Sequence, residues 1–451
     1  MSPLVSPPVS PVEAAFREAA AAHQRCFWLD GGGARDWSGS QSLIGILEPD
    51  DVSLTYSAVT REVTRHADGE SEVVGSDVFA VLEEELAAGS RRDQWFGYFG
   101  YACRPDLPAL TVAGGVPDAV WMRPSHVRLF EHAGLQGSQV NLGFLNFSGV
   151  ATTPKFRDPR STWDSDTPPA DYAEAFARVQ EALHAGNSYE VNLTYRVDAE
   201  SDLDPVAAYL RLRALNPAPY AGFLQHDVGT EEQGARGWLL SSSPERYALV
   251  TRDPDTGDRT IETKPIKGTT PRGATPEEDE ELRRALATEP RFRAENLMIT
   301  DLLRNDLAMV CEVGSVEVPA LLAVESYPTV HQLVSTVRGR LRDEVSTVAA
   351  MRALFPAGSM TGAPKLRTMQ VIEEVESTPR GAYAGALGWL AADGRADLGV
   401  VIRTLTTTGG GSYRLGTGGG ITVHSDVESE YAESLLKAER LQRSLSLFKS
   451  R

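Results

Sequence analysis

From residue 172 onward the apolar positions follow a helical period. Tyr172, Phe176, Val179 and Leu183 recur at three- and four-residue steps, Gly186 ends the run, and Asp171 stands where an N-cap belongs. Residues 189–197 then read as a strand, opening a region where strands and helices mix. Thr275-Pro276-Glu277-Glu278 is a capping box with proline at the first helical position, and the acidic run there suits a solvated first turn near the positive end of the helix dipole. Residues 292–310 predict another helix, in which Phe292, Glu295, Ile299 and Leu302 share one face, so a carboxylate interrupts an apolar stripe. A last helix, over residues 428–448, carries Glu430 and Glu433 three apart on one face.

Earlier in the chain the signals are short: a strand-like run at 140–147 and a turn cluster at 30–33. Residues 151–170, broken by Thr-Thr-Pro, Asp-Pro and Pro-Pro, read as a joint between an N-terminal lobe (1–165) and a C-terminal region (166–451). Strands and helices that mix without regular alternation predict an α+β fold with mainly antiparallel sheet.

Composition narrows the function. At 451 residues the chain exceeds one small core, and its 41% hydrophobic and 24% charged content is that of an ordinary globular protein. No apolar run reaches the roughly 18 residues of a membrane span. Residues 1–11, rich in Pro and Ser, lack the basic and apolar regions of a signal peptide and read as a disordered tail. A net charge of −18 argues against nucleic acid or an anionic membrane as partner. Cys26, Cys103 and Cys311 are scattered and odd in number, which disfavours disulfides and zinc and makes the cytoplasm the expected compartment.

Several residues stand out against this background, each with a plainer alternative. Glu295 either pairs with a nearby arginine such as Arg291 or joins Glu430 and Glu433 around a hard cation, for which carboxylates without histidine suit Mg²⁺. Glu433 equally makes an ordinary i,i+4 pair with Lys437. Lys267, in Lys264-Pro265-Ile266-Lys267-Gly268-Thr269, is either a surface lysine with a buried stem or a semi-buried nucleophile of lowered pKa. Glu245 follows a strand-like run at 238–242. The run Gly416-Thr417-Gly418-Gly419-Gly420 lacks the ending of a P-loop, so it is either a hairpin turn or a stretch of bare amides facing an anion. Arg403, among β-formers, would want a carboxylate partner if buried. His331, near apolar residues, is either a hydrogen-bonded core residue or a catalyst.

In order, Ser243-Pro244-Glu245-Arg246, Pro265-Ile266-Lys267-Gly268-Thr269, Ala294-Glu295-Asn296-Leu297-Met298, His331-Gln332-Leu333-Val334-Ser335, Thr361-Gly362-Ala363-Pro364-Lys365, Ile402-Arg403-Thr404 and Gly418-Gly419-Gly420-Ile421 resemble the chorismate-utilising enzymes. The resemblance is dense from residue 172 to the C-terminus and weaker before it. It implies a large, mainly antiparallel β-sandwich-like core flanked by helices, and Mg²⁺ between protein carboxylates and the ring carboxylate of chorismate. Carried over by motif, Glu295 and Glu433 are implied metal ligands, with Glu430 and Lys437 around them. Arg403, Tyr383 and the amides of Gly418, Gly419 and Gly420 are implied to hold the enolpyruvyl carboxylate, and His331 to lie near the ring. Members that aminate C4 resemble this chain at Lys267, where members that aminate C2 usually carry Ala. The C4 branch is therefore expected, with Lys267 as nucleophile and Glu245 as general acid. C2 amination is the alternative, and an inactive scaffold subunit a remoter one. No Cys-centred glutaminase domain is evident, which implies ammonia from a separate glutamine amidotransferase subunit. Residues 253–258 lengthen the loop between Glu245 and Lys267 beyond the family's usual need, and Trp28-Leu29-Asp30-Gly31 differs from the Leu-Leu-Glu-Ser of feedback-inhibited members, so tryptophan inhibition is not expected.

Overall fold

A computed structural model describes residues 10–31, 41–132, 167–228, 235–327 and 330–446. The expected strand at 140–147 and most of the expected joint at 151–170 lie outside them. Two sheets, antiparallel at every pairing between described strands, stack on one another. The first runs in the order Gly362–Ala363, Glu190–Glu200, Ser412–Ile421, Thr404–Thr407, Arg236–Ser243, Tyr220–Asp227, Arg25–Asp30, Gln41–Ile46, His126–Glu131. The second runs Ile266–Pro271, Val330–Arg340, Arg259–Lys264, Arg246–Arg252, Ala396–Val400, Ala386–Ala391, Gln94–Phe99, Ala119–Arg123, Val52–Ser57, Glu62–Ala67, Glu70–Gly75, with Glu317–Ser326 paired beside Val330–Arg340. Strands from before and after residue 165 share both sheets: Arg25–Asp30 pairs with Tyr220–Asp227, and Gln94–Phe99 with Ala386–Ala391.

Apolar burial holds these layers together. Phe27, Leu224 and Leu239 of the first sheet meet Phe96, Tyr98, Val120 and Met122 of the second, with Phe27 and Phe96 stacked at 4.1 Å between ring centroids. The outer face of the first sheet packs Trp28, Phe223 and Leu240 against Phe16, Tyr209 and Leu441 of three helices. The outer face of the second packs Tyr247, Val250 and Ile261 with Phe79, Ile299, Leu302 and Met351. The result is the expected α+β sandwich, with helices on both outer faces. Where a sheet is covered on both sides, strands such as Arg25–Asp30 are buried almost throughout and do not alternate, whereas the edge strands Glu70–Gly75 and His126–Glu131 are largely exposed. No described helix is long and apolar enough to cross a membrane.

Local signals decided most helix ends. Thr275 caps Pro276–Thr288 by accepting from the Glu278 amide at 3.3 Å. The helix Ala170–His184 starts two residues earlier than expected: Pro169 is its N-cap and Asp171 lies in its first turn. Residues 253–258 close the hairpin between Arg246–Arg252 and Arg259–Lys264, as their turn residues suggest.

Candidate active site

Two helices and two strand segments converge on one charged cluster. Helix Pro290–Ala308, begun by Glu289 as N-cap and Pro290, buries Glu295 beside Ile299 and Leu302. Helix Val427–Leu445, capped by Asp426, buries Tyr431, Ser434, Ala438 and Leu441, a spacing that turns Glu430 inward with them. Arg291 bridges the two helices, donating to Glu295 at 2.9 Å and to Glu430 at 2.5 Å. The expected Glu295–Arg291 pair is therefore present, and the guanidinium stands as a cation between two carboxylates from different elements. Ser425 also donates to Glu430 at 2.7 Å, yet burial holds that carboxyl above its usual range. Glu433 pairs with Lys437 at 2.8 Å. Burial pushes Glu433 up, but Lys437, Arg291 and Lys267 outweigh it and hold it below the usual range. Among the described residues no three ligating side chains are gathered closely enough to hold a metal ion. The donor set nonetheless fits a hard cation: all carboxylate, on facing helices, and already drawn around one positive charge.

The glycine-rich run is not a hairpin turn. Gly416 to Gly420 lie inside the strand Ser412–Ile421, paired with Glu190–Glu200 as far as Ile421. On the opposite edge Thr404–Thr407 pairs only with Arg414 and Leu415, so no described strand covers Gly418 to Gly420 there. What requires glycine is close approach. A Cβ at Gly416 would strike the Tyr383 ring. At Gly419 it would sit 3.3 Å from a Glu430 oxygen and 3.5 Å from Lys437 Nζ, and at Gly420 3.2 Å from Lys267 Nζ and against Glu190. Lys437 also donates to the Gly418 carbonyl at 3.0 Å. The run is a floor beneath charged side chains, with no described strand along its other edge.

Lys267 sits over this floor with its side chain 12% exposed, ion-paired to Glu190, which is 1% exposed. Glu190 was not anticipated from the sequence. Its signal was faint: one carboxylate opening the run Glu190-Val191-Asn192-Leu193, whose neighbours are buried. Burial pushes Lys267 down, but Glu190, Glu295 and Glu245 outweigh it and hold the amine above its ordinary value. The expected lowering is thus reversed, because the surrounding charge is mainly carboxylate. Glu190 is raised, chiefly by burial. Glu245, itself buried, follows the strand Arg236–Ser243, and its carbonyl accepts from the Val400 amide at 3.0 Å.

Arg403 stands between strands Ala396–Val400 and Thr404–Thr407 with φ of 52°, a left-handed backbone that costs a non-glycine residue on the order of 1 kcal/mol. Its charged surroundings are Tyr383, Arg440 and Glu433, and burial lowers its pKa. Among the described residues no carboxylate pairs with it, which leaves a half-buried guanidinium suited to an anionic ligand. Tyr383 is fixed from behind by a network the sequence reading also missed. Glu376 accepts from Arg380 at 2.7 and 3.0 Å and from the Thr194 amide at 2.9 Å, and the Arg196 guanidinium lies 4.7 Å over the Tyr383 ring. The only local hint was the i,i+4 spacing of Glu376 and Arg380. Tyr383, Arg196, Arg380, Thr404 and Gly416 also border a cavity of about 350 Å³, but Lys267, Glu245 and the helix carboxylates do not line it, so the charged cluster marks the chemistry better than this cavity.

His331 stands apart. Its Nδ1 is 2.7 Å from Ser326 Oγ and its Nε2 3.0 Å from Asp279 Oδ1, and the ring is 1% exposed. Both nitrogens are used within the fold, joining the strand Val330–Arg340 to the start of the helix Pro276–Thr288. The core alternative describes these contacts better than a free acid or base.

Comparison with known proteins supplies the family. The model of the chorismate binding enzyme family matches residues 24–443. The aminodeoxychorismate synthase of Streptomyces pristinaespiralis is 38% identical over 96% of this chain and 63% of its own length. Aminodeoxychorismate synthase component 1 of Escherichia coli is 43% identical over 63% of this chain and 60% of its own length. The chain thus spans 60–63% of the length of these relatives. Among solved structures, anthranilate synthase component I from Streptococcus pneumoniae aligns with a TM-score of 0.71 and 25% identity, covering 97% of this chain and 100% of that one. With a match that runs through both sheets and both carboxylate-bearing helices, the chain belongs to the chorismate binding enzymes.

Proposed function

We propose that this chain aminates chorismate at C4, as component I of an aminodeoxychorismate synthase, giving 4-amino-4-deoxychorismate, the precursor of p-aminobenzoate. The observation that carries this reading is Lys267, its side chain only 12% exposed, set among carboxylates over a glycine floor. Lys267 adds through its neutral amine to C2 while Glu245 protonates the departing C4 hydroxyl; ammonia then attacks C4 and expels the lysine. Arg403, Tyr383 and the amides of Gly418, Gly419 and Gly420 hold the enolpyruvyl carboxylate, and a guanidinium with no carboxylate partner among the described residues supports that role. Glu295, Glu430 and Glu433, with Lys437 beside them, would hold Mg²⁺ once Arg291, whose side chain is 37% exposed, swings aside. Bound there, the ion would supply positive charge for the ring carboxylate of chorismate on a protein of net charge −18. Ammonia comes from a partner glutamine amidotransferase. C2 amination, the reaction of an anthranilate synthase, would need room for ammonia where Lys267 stands.

The test is to give the purified chain chorismate, Mg²⁺ and ammonium at alkaline pH and identify the product by mass and absorbance. 4-Amino-4-deoxychorismate is expected from the wild type and not from Lys267→Ala. Anthranilate from the wild type, or full C4 amination by Lys267→Ala, overturns the reading.

A further inference from the structure

The ion pair beneath the reactive lysine raises a question of proton balance. A lysine that attacks carbon must first lose a proton, and Lys267 is surrounded by groups that favour keeping it. Those facing it are Glu190 from its strand, Glu295 from helix Pro290–Ala308, Glu245 from the turn after Arg236–Ser243, and Glu433 from the last helix. Glu295 and Glu433 are committed to the carboxylate cluster between the helices, and Glu245 must carry its own proton to the leaving hydroxyl. Glu190 has neither commitment. It is in direct contact with Lys267 Nζ through Oε1, its Oε2 has no hydrogen-bond partner among the described residues, and Gly420 leaves room against it. Besides Lys267, the charges that act on it are Glu295 and Lys437.

We propose that Glu190 is the proton acceptor for Lys267, taking its proton before addition to chorismate and returning it when the lysine is expelled. The inference rests on the covalent role given to Lys267 above. The balance closes. The pair –NH3⁺/–COO⁻ becomes –NH2/–COOH by one transfer across the existing hydrogen bond. The amine lone pair forms the N–C2 bond, the two ring double bonds shift towards C4, and the C4–O bond breaks as Glu245 gives its proton, releasing water. Ammonia then forms the C4–N bond, the double bonds shift back, and the C2–N bond breaks with its electron pair going to Lys267. Glu245 takes a proton from the new ammonium at C4, and Glu190 returns its proton to Lys267. Every side chain ends as it began, and the sum is chorismate plus ammonia to aminated product plus water.

The pair also explains how a lysine only 12% exposed stays available without being permanently neutral. Burial disfavours a lone charge on either partner, so the doubly charged and doubly neutral forms lie closer in energy than they would in water. Lys267 therefore need not release its proton to solvent, and the step depends little on pH while the pair shares one proton.

The readout is formation of the covalent adduct on the Lys267 peptide, by mass spectrometry after mixing with chorismate and Mg²⁺ without ammonia, so that ammonia protonation cannot enter. The wild-type rate is expected to change little between about pH 7 and 9. Glu190→Gln, which keeps the shape and can still hydrogen-bond, should form adduct roughly 100-fold more slowly near pH 7 and recover about tenfold per pH unit as solvent takes over as acceptor. Glu190→Asp should restore part of the rate, and chorismate binding by all three should agree within about threefold, a margin of less than ~1 kcal/mol. A purely structural role predicts a loss in Glu190→Gln that does not vary with pH, and that result overturns the proposal. A wild-type rate in Glu190→Gln does the same. No adduct in the wild type refutes the covalent reading itself, and this inference with it.

Discussion

Removing Lys267 should destabilise the protein in a way that depends on pH, and the dependence reports on Glu190. Lys267→Ala leaves the Glu190 carboxylate 1% exposed, with Oε1 stripped of its ion-pair partner and Oε2 already without one among the described residues. An uncompensated buried charge of this kind costs about 3–5 kcal/mol. The carboxyl limits that cost by binding a proton, at about 1.4 kcal/mol for each pH unit between its folded pKa and the ambient pH. Burial already raises Glu190 with its lysine present, and losing the lysine raises it further. The sign follows from the raised value. The folded variant holds a proton that the unfolded chain releases, so the variant approaches wild type at or below the ordinary carboxyl range. It falls behind as pH rises through the folded pKa, and the deficit then levels off. Lys267→Ala/Glu190→Gln removes the titrating group and should regain about 2 kcal/mol or more at neutral pH, with no such pH dependence. Thermal or urea unfolding of the three proteins between about pH 5 and 9 decides the matter. If Lys267→Ala tracks wild type across the range, or the double variant is no more stable than the single one at neutral pH, the buried-pair argument is wrong.

Glu295→Gln and Glu433→Gln should each abolish turnover with unfolding curves little changed, since each would remove a hard anionic ligand of the proposed Mg²⁺; near wild-type activity of either at low millimolar Mg²⁺ contradicts its assignment. Arg403→Lys, which would give up the proposed two-pronged hold on a carboxylate, should lose about 1.5–3 kcal/mol of binding, read as a roughly 10- to 150-fold rise in the KM for chorismate. Burial pushes His66 down to about 4 and His226 down to about 3, in a pocket shared with Arg25, Ser53 and Thr55. Both stay neutral in the fold, so the stability they protect is present above about pH 6.5 and lost as pH falls towards those values, by up to ~1.4 kcal/mol per pH unit for each histidine. His66→Gln should lower proton uptake on acid unfolding by about one, and an unchanged uptake argues against the assignment.

Sequence alone determined the local events. The Thr275 cap, the helical stripe through Glu295, the pairing of Glu433 with Lys437 and the antiparallel α+β class follow from residues within a few positions of one another, where periodicity and hydrogen-bonding capacity leave few choices. The family motifs identified Lys267, Glu245 and Arg403 as residues worth finding. What the motifs did not contain is who faces whom. Glu190 and Lys267 are 77 positions apart, and Arg291 and Glu430 139. A turn was one of two readings of Gly416 to Gly420, because glycine is most conspicuous for its backbone freedom, yet here the absent side chain is what matters, under Tyr383, Glu190 and Lys267. The state of Lys267 was misjudged for the same reason. Its own segment offers burial and a neighbouring lysine, both of which lower an amine, whereas the carboxylates that raise it arrive from a different strand, a helix and a turn. Electrostatic energy depends on distance through space, and only the packing of the two sheets and their helices sets those distances.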